Sequence, residues 1–284
     1  MARKKQKESA DPAPPPPALR RLLLAAGWCL AVLLAAAGAA FFVLEWDRFL
    51  VRDPRFRLPE EDRGGGILVE GARQVPRSAV LKVFEADRGR SLAEIDLERR
   101  RAELLRLDWV RDAAVRRIWP NRILVRITER EPVAIIQVPA GISGSFGEPL
   151  RMRPMLVDAD GVILPMQGAV SRPLPLLLGV RPEQDVEHRR KLVRLMQRVL
   201  EELAPAAANI PEVDVTDPEN VRIAYQTPKW LVVLVLGNEK FLDRLNVFLA
   251  HRESIEDRLS HRAVLDLTTE GRITLVEAPA EEKR

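Results

Sequence analysis

The segment from Leu22 to Leu44 constrains this chain more than any other, because its 23 residues are uncharged and mostly apolar. At about 1.5 Å per residue, a helix of that length spans a hydrocarbon core of about 30 Å. The sequence therefore predicts a single transmembrane helix over residues 22–44. A cleaved signal peptide is the alternative, since Ala37-Gly38-Ala39 has the form of a cleavage site, but the apolar run continues beyond it.

The charges on the two sides of this segment differ. Six basic and two acidic residues precede it, whereas Glu45, Asp47 and Arg48 nearly cancel just after it. The positive-inside rule then places the basic, proline-rich tail, residues 1–21, in the cytoplasm and everything after residue 44 outside. The formal net charge of +4 lies entirely in this tail, and a neutral remainder disfavours nucleic-acid binding.

The part after the apolar segment contains no cysteine, because the single cysteine of the chain, Cys29, lies within the segment. A disulfide framework, a catalytic thiol and a thiolate metal site are excluded for that part. Its stability must come from its hydrophobic core.

Residues 45–65 are rich in charge, proline and glycine and are predicted to be a linker. A compact domain of the order β-α-α-β-β is predicted after it, over residues 66–131. Ser91 and Glu94 have the spacing of a capping box and are expected to start its second helix. The predicted elements are a strand over 67–69, helices over 76–84 and 91–107, and strands over 110–118 and 122–129.

A second domain is predicted over residues 132–277, with a C-terminal tail over 278–284. Strands and two long helices alternate there, which indicates an α+β fold on a mostly antiparallel sheet. The apolar run 231–236 predicts a strand buried on both faces. The predicted strands are 133–138, a hairpin over 155–164 that turns at Asp160-Gly161, 174–180, 212–215, 221–225, 231–236, 263–267 and 272–276, and the helices are 183–203 and 239–259.

Motifs for catalysis or cofactor binding are weak. His188, His251 and His261 lack the spacing of zinc ligands. The stretch Gly141-Ile-Ser-Gly-Ser145 is a near miss for a nucleophile elbow, and Asp158-Ala-Asp160-Gly161 resembles the start of a calcium loop but continues as a strand. The sequence therefore predicts that the protein is not an enzyme and that it binds no cofactor, metal ion or small-molecule substrate.

The charged cluster from Glu129 to Pro132, at the end of a predicted strand, allows a catalytic acid pair or a structural junction. Carboxylates elsewhere lie mostly in arginine-rich helices, where a solvated ion-pair face is the ordinary explanation. We predict that the cluster is the junction between the two domains.

Protein binding remains as a function, and a free sheet edge can recruit a partner strand. The last predicted strand, 272–276, is a candidate edge, although earlier strands could pair with it on both sides. Proline at Thr274 would remove a donor from that edge, provided that this N–H faces outward.

The stretch from Leu107 to Ala134, LDWVRDAAVRRIWPNRILVRITEREPVA, is similar to the segment that ends the POTRA domain of the FtsQ family. The resemblance covers nearly the whole chain. POTRA domains also occur in outer-membrane assembly and secretion proteins, so a POTRA-containing envelope accessory is the alternative. Further matches are Ile67 to Gly71, Leu156 to Gly161, Leu174 to Gly179, and Asp266-Leu267.

The resemblance implies a single-pass inner-membrane protein of type II, with a cytoplasmic N-terminus and periplasmic POTRA and β domains at the division septum. It also implies a non-enzymatic divisome scaffold that links early and late division proteins and recruits FtsB and FtsL, with the POTRA domain contacting other divisome proteins. In the family, FtsB adds a strand to the C-terminal strand of the β domain, beside a helix.

Carried over by position, the candidate FtsB contacts form the final turn and strand. The family often reads DLRY where this chain has Asp266-Leu267-Thr268-Thr269, so the arginine and tyrosine contacts do not transfer. A backbone-driven addition of a strand tolerates that change. The candidate contacts are Thr268, Thr269, Glu270, Gly271, Arg272, Ile273, Thr274, Leu275, Val276 and Glu277.

Overall fold

The computed structural model describes residues 17–60, 66–139, 151–167, 172–256 and 263–276. The helices are α1 (Pro17–Arg52), α2 (Arg77–Val83), α3 (Leu97–Leu104), α4 (Val186–Glu202) and α5 (Phe241–Glu256). The strands are β1 (Ile67–Glu70), β2 (Val110–Ile118), β3 (Arg122–Glu129), β4 (Pro132–Pro139), β5 (Met152–Asp158), β6 (Ile163–Leu164), β7 (Leu176–Leu178), β8 (Glu212–Asp214), β9 (Val221–Gln226), β10 (Leu231–Gly237), β11 (Val264–Asp266) and β12 (Thr274–Val276).

Contacts divide the chain into two compact units. The first unit comprises Met1–Leu68, Phe84–Glu98 and Val115–Val125. The second unit comprises Val69–Val83, Arg99–Ala114 and Arg126–Arg284. Both units draw on the region predicted as the first domain, so the division predicted at residue 131 stays a prediction from the sequence.

Helix α1 covers the predicted apolar helix and continues past its expected end to Arg52. Among the residues that the structure describes, no helix is both long enough and apolar enough to cross a membrane. The membrane crossing of residues 22–44 stays a prediction.

Residues 45–60, the described part of the predicted linker, contain the end of a helix and a turn. The first of these residues extend α1, and a 3₁₀ turn follows over Pro54–Phe56, capped by the carboxylate of Asp53. Leu58 is fully buried, and its N–H donates to the carbonyl of Arg90 at 2.9 Å. Proline and charged residues therefore form a capped turn here. Hydrogen bonds to other segments of the first unit hold its backbone in place.

A small sheet has the strand order β1-β3-β2. Strands β2 and β3 have the bounds that the sequence predicts, and the element order β1-α2-α3-β2-β3 is the predicted β-α-α-β-β. Along β3, Ile123, Val125 and Ile127 are buried and alternate with exposed or half-buried residues. The period of two in hydrophobicity thus gave the correct face of the strand.

The second helix of this region starts later than the capping box predicts. Ser91 does act as a cap, since its Oγ accepts from the N–H of Ala93 at 3.3 Å, but it caps a 3₁₀ turn over Leu92–Glu94. The backbone is extended at Ile95, whose carbonyl accepts from the guanidinium of Arg117 at 2.6 Å. The α-helix begins only at Leu97.

A nine-stranded sheet in the second unit has the order β12-β11-β10-β9-β8-β7-β4-β5-β6. Its pairs β4–β7, β7–β8 and β10–β11 are parallel and the others antiparallel, so the prediction of a mostly antiparallel sheet is confirmed. Helices α4 and α5 share its core. That core includes Leu192, Val193, Met196 and Val199 of α4, Phe241, Leu245 and Phe248 of α5, and Val213, Ile223, Val232, Leu234 and Leu236 of the sheet.

Strand β10 is not buried on both faces as its apolar run predicts. Val232, Leu234 and Leu236 lie in the core, whereas Val233 and Val235 are half-buried. Side chains alternate across a strand, and only one set reaches the core shared with the helices. Apolar composition alone does not distinguish the two faces.

A half-buried carboxyl on β8, that of Glu212, predicts a dependence of stability on pH. Burial, with a smaller effect of Asp214, raises the pKa of Glu212 above its ordinary value. An acid with a raised pKa in the folded state favours folding only at low pH, and this contribution is lost as the pH rises through that pKa. We expect Glu212→Gln to raise the melting temperature at pH 7, where the charged carboxylate is disfavoured.

The check is thermal unfolding followed by circular dichroism at pH 7 and at pH 3.5, below the unfolded pKa of about 4.3 for glutamate. The increase in melting temperature caused by Glu212→Gln should disappear at pH 3.5. Glu201→Gln, at an exposed position of α4, serves as the control. A melting temperature that falls at pH 7 in Glu212→Gln would contradict the explanation.

Candidate functional site

Strand β12 lies at the outer end of the nine-stranded sheet, where the sequence places a candidate edge. It pairs with β11 in antiparallel register, with Val264 opposite Val276 and Asp266 opposite Thr274. No strand of the described ranges lies beyond it. The alternative, in which the last strand is paired on both sides, does not occur in that part of the chain.

The outward groups of β12 follow from the hydrogen bonds of β11. The carbonyl of Ala263 accepts from Val233, and the N–H of Leu267 donates to Val235, so both positions face β10. Backbone groups alternate in direction along a strand, so Val264 and Asp266 turn theirs toward β12.

The register then decides which residue of β12 is open. Thr274 and Val276 oppose Asp266 and Val264, so they form the hydrogen-bonded pairs with β11. Leu275, between them, turns its N–H and carbonyl away from the sheet. The outward N–H belongs to Leu275 and not to Thr274. A proline at Thr274 would therefore remove a donor to β11 and not a donor from the open edge, because its N–H does not face outward.

Apolar side chains accompany this open edge. Leu275 is 52% exposed and Val276 is 42% exposed. Ile273 is partly buried against the core. A short edge strand that exposes two large apolar side chains leaves an apolar surface for a partner.

A groove of about 540 Å³ separates β12 from α5. Its walls are mainly apolar, with Val247 and Ile255 from the helix and Leu265, Ile273 and Leu275 from the strands. His251 and Ser254 add polar groups from the helix. Leu275 therefore lines this groove and also carries the open backbone groups of the edge.

A second, more polar groove adjoins the first at Val247 and Gly271. It lies between the start of α5 and the turn that connects β11 and β12. Lys240 Nζ lies 3.4 Å from Glu270 Oε1, so this pair connects the helix to the turn. The charged residues that line the second groove are Glu239, Lys240, Asp243, Arg244, Glu270 and Arg272.

The turn itself is ordered by the residues that replace the usual family pattern. Asp266 Oδ1 accepts from the N–H of Thr268 at 2.8 Å and from its hydroxyl at 2.6 Å. The N–H of Arg272 donates to the carbonyl of Thr269 at 3.2 Å. Gly271 has φ of 66°, a left-handed conformation that favours glycine. Thr268 thus has a structural role in holding the turn.

The structure brings together the predicted site residues from Thr268 to Val276 on one edge, and Glu277 lies outside the described residues. The sequence prediction named no residue of the helix beside the strand. Val247, His251 and Ile255 recur at intervals of four residues and form one stripe of α5. That spacing is the signal that could have identified them.

The cluster from Glu129 to Pro132 is not arranged as an acid pair. Glu129 Oε1 accepts hydrogen bonds of 2.7 Å from three consecutive backbone N–H groups, those of residues 73–75. Arg130 Nη1 lies 2.7 Å from Asp158 Oδ2, and both side chains are mostly buried. These bonds within the second unit support the structural interpretation of the cluster.

The calcium-loop-like motif from Asp158 to Gly161, which lies within the described residues, has a structural role. Asp158 Oδ1 accepts from the N–H groups of Asp160 and Val162, which forms the predicted hairpin turn at Gly161. No group of three potential metal ligands occurs among the residues that the structure describes. Gly141 to Ser145 and His261 lie outside them.

The small sheet region has a recognised family match. Residues 66–130 match the model of the POTRA domain, FtsQ-type. This match covers β1 to β3 and the helices between them. Residues 66–130 of the chain are therefore similar to a POTRA domain of the FtsQ type.

Similar proteins match this chain over longer stretches than the POTRA model does. Three of them, each named Cell division protein FtsQ, come from Koribacter versatilis, Rhodothermus marinus and Nitrosospira multiformis. The first is 29% identical over 227 residues, 78% of this chain and 61% of the relative. The second is 33% identical over 195 residues, 65% of this chain and 66% of the relative. The third is 28% identical over 192 residues, which are 67% of this chain and 70% of the relative.

These matches confirm the resemblance to the FtsQ family that the sequence motifs predicted. The chain spans 61% of the relative from Koribacter versatilis and 44% of another from Rickettsia felis, which is less than two thirds of either.

The three hydrogen bonds to Glu129 predict a measurable loss of stability in Glu129→Ala. Unfolding should become easier by about 1.5–3 kcal/mol, the usual net contribution of a hydrogen bond to a charged group. Urea unfolding of the full chain measures this change. Glu131→Ala, at the exposed residue two positions on, should stay within about 0.5 kcal/mol of the parent. Equal effects of the two substitutions would contradict the role assigned to Glu129.

Proposed function

We propose that this chain is a non-enzymatic scaffold of bacterial cell division that recruits FtsB, and FtsL with it, by accepting a strand at β12. The open backbone of Leu275 at the outer edge of the nine-stranded sheet is the observation that carries the proposal. The names of the relatives supply the process. An added strand would donate to the carbonyl of Leu275 and accept from its N–H.

Backbone hydrogen bonds alone give such a short edge little affinity. Each contributes about 0.5–1.5 kcal/mol net, and one outward residue offers only two. Covering the exposed half of Leu275 adds about 1 kcal/mol. The groove between β12 and α5 must therefore bind further apolar side chains of the partner, so the bound segment should continue from the strand into this groove.

Charge at the rim gives the edge its selectivity in this proposal. Arg272 is exposed at the turn that opens the strand, and Glu239 and Asp243 line the same polar groove. An arginine at the rim can pair with a partner carboxylate and favours the correct register, although such exposed pairs add little affinity. Arg272 would thus replace the arginine that the family pattern has at the position of Thr268.

The remaining parts follow from the sequence and the family. α1 would hold the chain in the inner membrane as a single-pass type II protein with a cytoplasmic N-terminus. The POTRA and β domains would then lie in the periplasm at the division septum. The POTRA domain would dock other divisome proteins, which connects early and late components of the assembly.

Proline substitutions at neighbouring residues of β12 test the strand addition. Leu275→Pro removes the outward N–H and leaves the bonds to β11 in place, whereas Thr274→Pro removes a bond within the sheet. We expect Leu275→Ala to weaken FtsB binding about fivefold through its side chain, and Leu275→Pro about tenfold more. Titration of the full-length protein with the periplasmic segment of FtsB, followed by fluorescence anisotropy, gives the affinities.

The melting temperature distinguishes the Thr274→Pro variant from the Leu275→Pro variant. Thr274→Pro should lower the melting temperature, and Leu275→Pro should not, because its N–H is outside the ladder. If Leu275→Pro binds FtsB as tightly as Leu275→Ala and has a native circular dichroism spectrum, no strand is added at this edge.

A further inference from the structure

Five aromatic rings form a continuous ridge in the first unit. Neighbouring ring centroids are 5.8, 6.1, 5.7 and 5.7 Å apart along the series, within the usual range of aromatic pairs. The series runs from the last part of α1, through the 3₁₀ turn after it, to the tip of the β2–β3 hairpin. Its members, in order, are Phe42, Trp46, Phe49, Phe56 and Trp119.

Contact between the rings leaves much of the ridge open. Phe42 is 65% exposed, Trp46 52%, Phe49 49% and Trp119 48%. If the rings served only to pack α1 against the other segments of the first unit, they would be buried. About half or more of the surface of these four residues therefore remains available to a surface outside the described part of the chain, whereas Phe56 is half-buried.

The ridge is held in place by the backbone beneath it. Ser91 Oγ donates to the carbonyl of Leu50 at 2.8 Å, which ties the end of α1 to the first unit. The N–H of Gly89 donates to the carbonyl of Leu58 at 2.8 Å. The helix end and the hairpin tip are thus parts of the same compact unit, and their aromatic rings present one surface.

Basic residues outnumber acidic ones in the segments that carry the ridge, although Glu45, Asp47 and Asp53 lie between Phe42 and Phe56 in the sequence. Ile118, beside Trp119 at the hairpin tip, is 37% exposed. Exposed arginines lie in the same unit, close in sequence to the aromatic residues on both sides of the ridge. They are Arg52 at the end of α1, Arg55 and Arg57 after it, and Arg116 and Arg122 on the hairpin.

The chemistry of this surface fits a phospholipid bilayer. Tryptophan and other aromatic rings prefer the boundary between hydrocarbon and headgroups, and arginine attracts anionic headgroups. The ridge also begins at Phe42, inside the apolar segment 22–44, and continues without a gap to Trp119. A surface that is continuous with a predicted membrane segment is expected to meet the same membrane.

We propose that the aromatic ridge lies in the headgroup layer of the membrane, so that the tip of the β2–β3 hairpin contacts lipid. This inference rests on the membrane anchor proposed above. The hairpin tip would then be a second membrane contact beside α1, and it would set the height and tilt of the first unit at the membrane.

The native cysteine makes the test direct. Full-length protein in vesicles of phosphatidylethanolamine and phosphatidylglycerol is labelled with an environment-sensitive fluorophore at Cys29. A second sample carries the label at residue 119, in Trp119→Cys combined with Cys29→Ser. Nitroxide lipids with quenchers at headgroup or mid-chain depth then report the position of each label.

We expect the label at Cys29 to be quenched by the mid-chain nitroxide and the label at residue 119 by the headgroup nitroxide. The emission at residue 119 should also shift to shorter wavelength. A label introduced by Ala208→Cys, also combined with Cys29→Ser, lies at an exposed position of the second unit and gives the reference for an aqueous site. Ile118→Cys with Cys29→Ser, which keeps Trp119, repeats the measurement if the tryptophan variant folds poorly.

The two labels distinguish the two proposals. If Cys29 is not quenched in the hydrocarbon, the anchor and the ridge proposal both fail. If Cys29 is quenched there but residues 118 and 119 resemble residue 208, the anchor holds and the ridge proposal alone is overturned, in favour of a protein partner on the ridge.

Discussion

The alternation of backbone direction along β11 determines what this protein can offer a partner. Its parallel pairing with β10 uses the groups of Ala263 and Leu267, which leaves Val264 and Asp266 for β12. The antiparallel register then makes Leu275 the residue of β12 with open backbone groups. A shift of one residue in that register would close Leu275 and open Thr274 and Val276, so the turn that fixes the register also fixes the site.

Carboxylates that could suggest catalysis are used to hold the backbone. Glu129 binds three consecutive N–H groups, and Asp158 combines a hairpin turn with a buried ion pair to Arg130. A carboxylate already satisfied by the protein has little capacity left to transfer a proton or ligate a metal. Glu129 and Asp158 therefore have structural roles in this fold.

Much of the fold could be predicted from hydrophobic periodicity. Strands β2 and β3 were predicted to the residue, and the Asp160-Gly161 turn was correctly placed, because alternation and turn residues are local signals. Prediction was poorer where distant residues decide the structure. The start of α3 depends on Arg117, which binds the carbonyls of Leu92 and Ile95, and sequence spacing near Ser91 does not reveal it.

The position of the last strand at a sheet edge could be predicted, but the direction of its backbone groups could not. The family resemblance located the last strand, and the sheet order of the structure puts that strand at the edge. Whether Thr274 or Leu275 faces outward depends on hydrogen bonds between β10 and β11. The groove residues of α5 also required the structure, because their partners on β12 are far away in the sequence.

Hydrogen exchange at the amides of β12 tests the central claim most directly. In the free full-length protein, the Leu275 amide should exchange faster than those of Thr274 and Val276, which donate within the sheet. Addition of the periplasmic segment of FtsB should slow the Leu275 amide specifically. A Leu275 amide that is already protected in the free protein, or that is unchanged when FtsB is bound, would contradict the account.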